Sequence, residues 1–412
     1  MWASGLAALL TELPPGQAAF DHVARAPLVL PSMTPRPGYL QSATDAAFGT
    51  SFIRITDPGR EMIPGVACMA AYCTHRYSSA QAWNADQTLL VIANGCQGLC
   101  FLDGRTYRPL FHRHVADECE WHPTNPDLMI CVEANRLYQW APRSDTKALL
   151  YAPNGYSNLQ FGPFKGNPSN DGHRLVLRAT NRASRSIAFA YDIAAMKRYR
   201  DIALDKLPGK NGYCTISPSG RFIACFQTTI GGVETAFIFT IDGVLLRHWD
   251  EHHRPGHGDM TLDADGHDVY VGISKADPDK YHVIKRRLED GAVTDLVPYG
   301  EAQHASIRNT NLPGWVFLTF AGTHSEIAAH PSWAPFYQEV IALRIDGSGS
   351  VRRIVQTRNA TYDYWSEAHA SPSPDGTQVI WSSNWGHAGG PVADFVATVP
   401  WQESDFTARP PH

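Results

Sequence analysis

The chain has 412 residues, 18% of them charged and 43% hydrophobic, with a formal net charge of −5. That balance describes a globular protein with an ample core and gives no basic run for gripping nucleic acid. No stretch reaches the roughly 18 to 20 apolar residues that a membrane-spanning helix needs, so neither a nucleic acid nor a membrane is expected as a partner.

From the N-terminus, residues 1–47 are rich in Pro and Ala and read as an extended arm, with one helical turn near Gly5–Glu12. The apolar patch there lacks a positive n-region and meets Glu12 early, which makes a poor secretory signal and sets cytoplasmic as the expected location. FIRIT at Phe52 alternates like a strand and is expected, near 50–57, to close a ring by joining the last repeat.

Then a polar turn followed by a short apolar strand recurs seven times. The apolar runs begin at Leu89, Leu128, Leu175, Phe222, Val269, Trp315 and Val379, in steps of 39, 47, 47, 47, 46 and 64 residues. A repeat of that length is one four-stranded antiparallel blade, so the pattern predicts an all-β, seven-bladed β-propeller over 48–402. The blades fall near 72–115, 116–155, 156–207, 208–253, 254–302, 303–360 and 361–402, with 403–412 as a tail. Asp171-Gly172, Ser219-Gly220, Asp265-Gly266 and Asp375-Gly376 supply the turns. The sixth repeat is lengthened by AGTHSEIAAHPSWAPFY, from Ala321 to Tyr337, an expected hairpin insertion near a ligand site.

All eight cysteines lie before residue 226. Cys131 and Cys225 sit in apolar runs and read as buried, reduced thiols. Cys96 and Cys100 have the spacing of half a metal knuckle, with no second pair to complete it.

A propeller brings each innermost strand to one axis. His257, His304 and His369 lie 12, 11 and 10 residues before the apolar runs of three successive repeats, so their imidazoles are expected to converge. Three imidazoles with an open position suit Mn²⁺ or Zn²⁺. Asp259, Gln303 and Glu367 flank them as further ligands or supporting partners, although strand alternation points Gln303 and Glu367 away unless a bulge intervenes. Earlier repeats place His75, Arg76, Tyr77, Glu120, His122, Lys165, Asn167, Arg178, Arg182, Arg185 and Tyr213 toward the same axis, and the cations, imidazoles and phenols among them suit an acidic ligand.

On the stretches AHASPSPDGTQVIWSSNWG from Ala368 and QHASIRNTNLPGW from Gln303, the chain resembles the seven-bladed polysaccharide lyases of the oligogalacturonate lyase and ulvan lyase families. Oligogalacturonate lyases hold a metal on three His and a Gln, with a Gln-x-x-His-x-His cluster in the last blade. Here that stretch reads Ser366-Glu367-Ala368-His369-Ala370-Ser371 and matches only His369, so His257, His304 and His369 must come from separate blades. The resemblance implies β-elimination on a uronate-bearing oligosaccharide or polysaccharide. Neutralising the uronate carboxylate falls to Arg182 or the metal, proton abstraction to His122 or His75, and leaving-group protonation to Tyr213 or Tyr77. Arg76, Lys165, Asn167 and Arg178 are expected to bind substrate. Two other classes fit the same ring: a non-catalytic TolB- or WD40-like propeller binding protein or glycan through its channel, and a lactonase-like hydrolase, whose sites use Asp, Glu and Asn around Ca²⁺ where this chain has His.

Overall fold

The computed structural model describes residues 28–29 and 34–406, apart from 30–33, 116–118, 162–165, 229–233, 250–254, 275–276, 278, 298–301, 322–328, 330–334 and 361–363. Lys165, the Gly5–Glu12 turn and most of the sixth-repeat insertion lie outside the described residues.

Seven antiparallel sheets surround an axis. Blades two, four, five and six have four strands each, ordered from the axis outward as the chain runs: Cys119–Trp121 to Thr146–Tyr151, Lys210–Ile216 to Leu245–Trp249, Pro255–Leu262 to Val293–Val297, and Ala302–Ser306 to Val351–Gln356. Blade three begins with Tyr156–Phe161, and its outer strand is split into Lys197–Arg198 and Ile202–Ala203. Blade seven takes its inner strands from the C-terminus (Ser371–Pro372, Gln378–Ser383, Val392–Thr398) and its outer ones from the N-terminus: Ser51–Arg54 pairs with Val392–Thr398, and Ser42–Thr44, which the sequence assigns to the arm, lies outermost. Chain ends that pair within one sheet leave the ring no open seam.

The core is divided in the same way. Seven apolar clusters each lie between two neighbouring blades, as where Val269 and Val271 of blade five meet Val316 and Leu318 of blade six. A strand whose two faces meet different neighbours is apolar on both, which is why the sequence shows unbroken runs such as WVFLTF.

The recurring polar turn has a local cause. Asn84 Oδ1, Ser169 Oγ, Ser217 Oγ and Ser373 Oγ each accept the backbone N–H five residues on, at 2.8 to 3.2 Å. The glycine that follows, Gly220 or Gly376 for example, has φ of 74° or 69°, in the left-handed region where a side chain is strained.

Blade one departs from the pattern. Its sheet holds Leu89–Ile92, Leu99–Asp103 and Pro109–Arg113, while the segment before them forms no regular strand beside it, only isolated bridges of Thr74 with Asn94 and of Trp83 with Leu90. Ser78, Ser79, Ala80 and Gln81 run across the channel instead. Ser306 Oγ donates to Ser78 O, Asn167 Nδ2 to Ser79 O at 2.9 Å, and Ser371 Oγ to Ala80 O at 3.0 Å. Gln81 Nε2 donates to Arg308 O and Pro372 O.

The expectation of reduced cysteines is corrected. All eight are paired, as Cys68–Cys73, Cys96–Cys100, Cys119–Cys131 and Cys214–Cys225. Cys119 and Cys131, like Cys214 and Cys225, are direct cross-strand partners with Cα atoms 4.2 and 4.0 Å apart, so their side chains share one sheet face and must meet. Cys96 and Cys100 are bonded to each other, which removes the half-knuckle reading.

Candidate metal and ligand site

At the channel mouth where the inner strands begin, blades five, six and seven present His257, His304 and His369. The His304 ring stands 4.5 Å from that of His369 and 5.3 Å from that of His257, centroid to centroid. Backbone irregularities aim them. The pairing slips between Gly256 and Asp259 and between Ala302 and His304, and His257 and His369 adopt φ of 48° and 46°. These are the bulges without which alternation would send neighbouring side chains to opposite faces.

Glu367 lies two residues before His369 in a segment outside the strands, and it turns to the same side as His369 rather than away from it, since residues two apart in an extended chain share a face. Its Oε2 lies 3.1 Å from His369 Nε2 and 3.5 Å from His304 Nε2, and the donor atoms of His304, Glu367 and His369 all fall within 4.8 Å of one another. Donors on one ion with bonds of about 2.1 Å stand about 3.0 Å apart at right angles and about 3.4 Å at the tetrahedral angle. The two carboxylate–imidazole separations match these values, and two imidazoles with a carboxylate are the donor set of a divalent transition ion. His304 and His369 are buried, and burial holds the His369 imidazole below its ordinary pKa, against the pull of Glu367. A neutral imidazole is the form that binds metal. His257 stands beside this group, its Nδ1–H donating to Gln303 O at 3.0 Å. Asp259 is engaged elsewhere: both oxygens bind the Arg308 guanidinium at 2.7 Å, and Oδ2 also accepts the Ile307 N–H.

Tyr77 of blade one closes the group, with its ring 4.7 Å from His369 and 5.1 Å from His304. Tyr364 packs on His369 at 5.4 Å and runs nearly parallel to Tyr77 at 6.5 Å. Arg76 lies close enough for its charge to act on Tyr364. It pairs with Glu120, donates to Cys119 O, and lines a cavity of about 250 Å³ between blades one and two with Asn94, Leu99, Val115 and Met129.

The remaining sequence-derived candidates lie elsewhere. His75 is buried directly behind His369, with Nδ1 3.0 Å from Asp394 Oδ1 and Nε2 2.7 Å from His369 O. Both partners accept, so both nitrogens carry protons. Burial works against that charge, but Asp394 and the His369 carbonyl offset it and raise the pKa. A ring with both nitrogens donating cannot accept a proton. Its evident work is to fix the His369 backbone. His122 lies at the far end of its strand, where its Nδ1 accepts the N–H groups of Thr124 and Asn125 at 3.3 and 3.1 Å. It fills the turn position that Ser217 and Ser373 hold in other blades. Tyr213 stacks on Phe226 at 4.7 Å and borders a small space with Asn167, Gly258 and Arg308. Arg178 donates to Gly212 O, and Arg182 is exposed on blade three, bonded to Asn154 Oδ1 at 3.1 Å. The sequence thus brings His257, His304, His369, Arg76 and Tyr77 to one region, and Glu367 and Tyr364 join them.

No sequence-family profile and no curated protein matches the chain. Solved structures do. An oligogalacturonate lyase in complex with manganese is 15% identical at a TM-score of 0.61, covering 89% of this chain and 97% of that one. An oligogalacturonate lyase from Vibrio parahaemolyticus is 12% identical at 0.57, covering 88% and 97%. The Neurospora crassa Pan2 WD40 domain is 12% identical at 0.50, covering 85% and 94%. At such identities the likeness is one of fold, and it is the propeller fold that the repeats predict.

Proposed function

We propose that this protein is a lyase that cleaves uronate-bearing oligosaccharides by β-elimination and uses a divalent metal held by His304, Glu367 and His369. The observation that carries the reading is the meeting of these three donors with Tyr77 at one channel mouth. Elimination removes the proton beside the uronate carboxylate, and its electron pair forms a double bond as the bond to the glycosidic oxygen breaks and that oxygen takes up a proton. Manganese or zinc, when bound, supplies positive charge that offsets the carboxylate and the charge growing next to it.

The other tasks fall to the chain's own groups. Tyr77, packed on both ligand imidazoles, is the phenol placed to exchange a proton with the sugar. Arg76, at the edge of the cavity between blades one and two and close enough to act on Tyr364, is the cation for a second carboxylate. His75 keeps His369 in place through its carbonyl. His122 and Arg182, at the far turn and on the exposed face of blade three, take no part in this assignment.

The test is absorbance of unsaturated uronate over time on pectin, oligogalacturonate, ulvan, glucuronan, alginate and glycosaminoglycan, with and without chelator. A rise on one substrate that chelator abolishes is expected, with Tyr77→Phe slowing it by about 10²- to 10⁴-fold. Silence on every substrate would leave the second reading, a binding propeller, which the likeness to a WD40 domain supports. The four disulfides favour an oxidising compartment over the cytoplasm expected from the N-terminus.

A further inference from the structure

Trp365 leaves 37% of its surface in water, and Tyr364 beside it is 53% exposed. Large aromatic rings left in solvent forgo the burial that stabilises them elsewhere in this fold. These two are not loosely held. Trp365 lies flat on Tyr72, with centroids 3.9 Å apart and planes within 4°, and Tyr72 is anchored by parallel pairing with Val392 of blade seven. Tyr364 stands at 88° to Trp365, 5.1 Å away, and its ring also packs near those of His369 and Tyr77. The result is a fixed floor and wall of aromatic surface that leads outward from the metal-donor group.

We infer that Tyr364 and Trp365 form a stacking subsite for the pyranose rings of the acidic glycan, with Trp365 two sugar units beyond the unit at His304, Glu367 and His369. This rests on the reading of that group as a uronate-glycan site. The C–H face of a pyranose is apolar while its edge carries hydroxyls, so it packs on an aromatic plane and keeps its polar groups in water. Arg76 acts on Tyr364 from the blade-one side and gives the same subsite a cation suited to the uronate charge. Because the floor is held before ligand arrives, binding there costs little ordering. The shelf makes the protein selective for chain length: a disaccharide seated at the donor group does not reach Trp365, and longer oligomers do.

The test is titration of wild type, Trp365→Ala and Trp365→Phe with di-, tri- and tetrasaccharides of galacturonate and of glucuronate, read by tryptophan fluorescence and calorimetry, with turnover measured in parallel. Trp365→Ala is expected to weaken tri- and tetrasaccharide binding about tenfold and to leave the disaccharide unchanged, while Trp365→Phe retains most of the affinity. Equal losses at every length, no loss at any length, or no binding by wild type would overturn the subsite. If Trp365→Ala loses length-dependent binding while no variant gives turnover, the shelf stands and the lyase assignment falls. If turnover persists with an unchanged length profile in Trp365→Ala, the shelf falls and the lyase assignment stands.

Discussion

Glu367 stands two residues before His369 and meets the imidazoles of both His369 and His304, which completes the donor group. Replacing Glu367 with Ala should therefore abolish metal retention through dialysis, read by elemental analysis. It should also remove the chelator-sensitive part of the melting temperature, since an ion held at 100 times its Kd adds about 2.7 kcal/mol. His122 offers a different test. Burial holds its pKa down, with His173 acting in the same direction and Asp171 against it, and its Nδ1 caps a turn only when unprotonated. The unfolded chain takes up that proton more readily, so the stability His122 contributes is present above the ordinary His pKa of about 6.5 and lost as pH falls through its lower folded value. His122→Asn, which keeps an acceptor but does not titrate there, should flatten the fall in melting temperature between about pH 7 and pH 5. The aligned histidines were legible in the sequence from their spacing alone. Glu367 was legible as a flanking partner but was expected to point away, an expectation that regular alternation does not support for residues two apart and that has no strand to act on at 367–370.

At the scale of the element, the hairpin that joins the first two strands of a blade explains both the success and the omission of sequence reading. The turn and the apolar run repeat because each blade needs the same side-chain cap and the same two-faced strand. The disulfides were missed although the register contained them: Cys214 and Cys225 lie two residues outside the paired Ile216 and Ile223, and Cys119 and Cys131 two residues outside the paired Trp121 and Met129. Each bond closes a short loop, of sequence separation 12 and 11, in a blade that already has its cross-strand pairs. Changing Cys119 and Cys131 together to Ser should cost about 2 to 3 kcal/mol. Thermal unfolding of the variant with and without reductant checks this, because the variant should respond less to reductant than wild type does.

For the whole molecule, the ring closes where Phe52 of the N-terminal strand packs on Trp381, Trp385 and Phe395 of the C-terminal blade, and where Arg358 binds Asp45 at 2.9 Å. Deleting residues 1–54 should uncover the edge of Val392–Thr398 and drive aggregation, read on size-exclusion chromatography against the full chain. The segment from Ser78 to Gln81 has a wider effect. Its backbone takes bonds from blades three, six and seven and belongs by sequence to blade one, so four members of the ring share a single axle. Blades that differ little in outline are thereby no longer interchangeable. A copy of blade four could be spliced in for blade five with only its flanks to satisfy, whereas exchanging blade one would undo contacts on the opposite side of the molecule. A ring of duplicated units has acquired one part that duplication cannot replace.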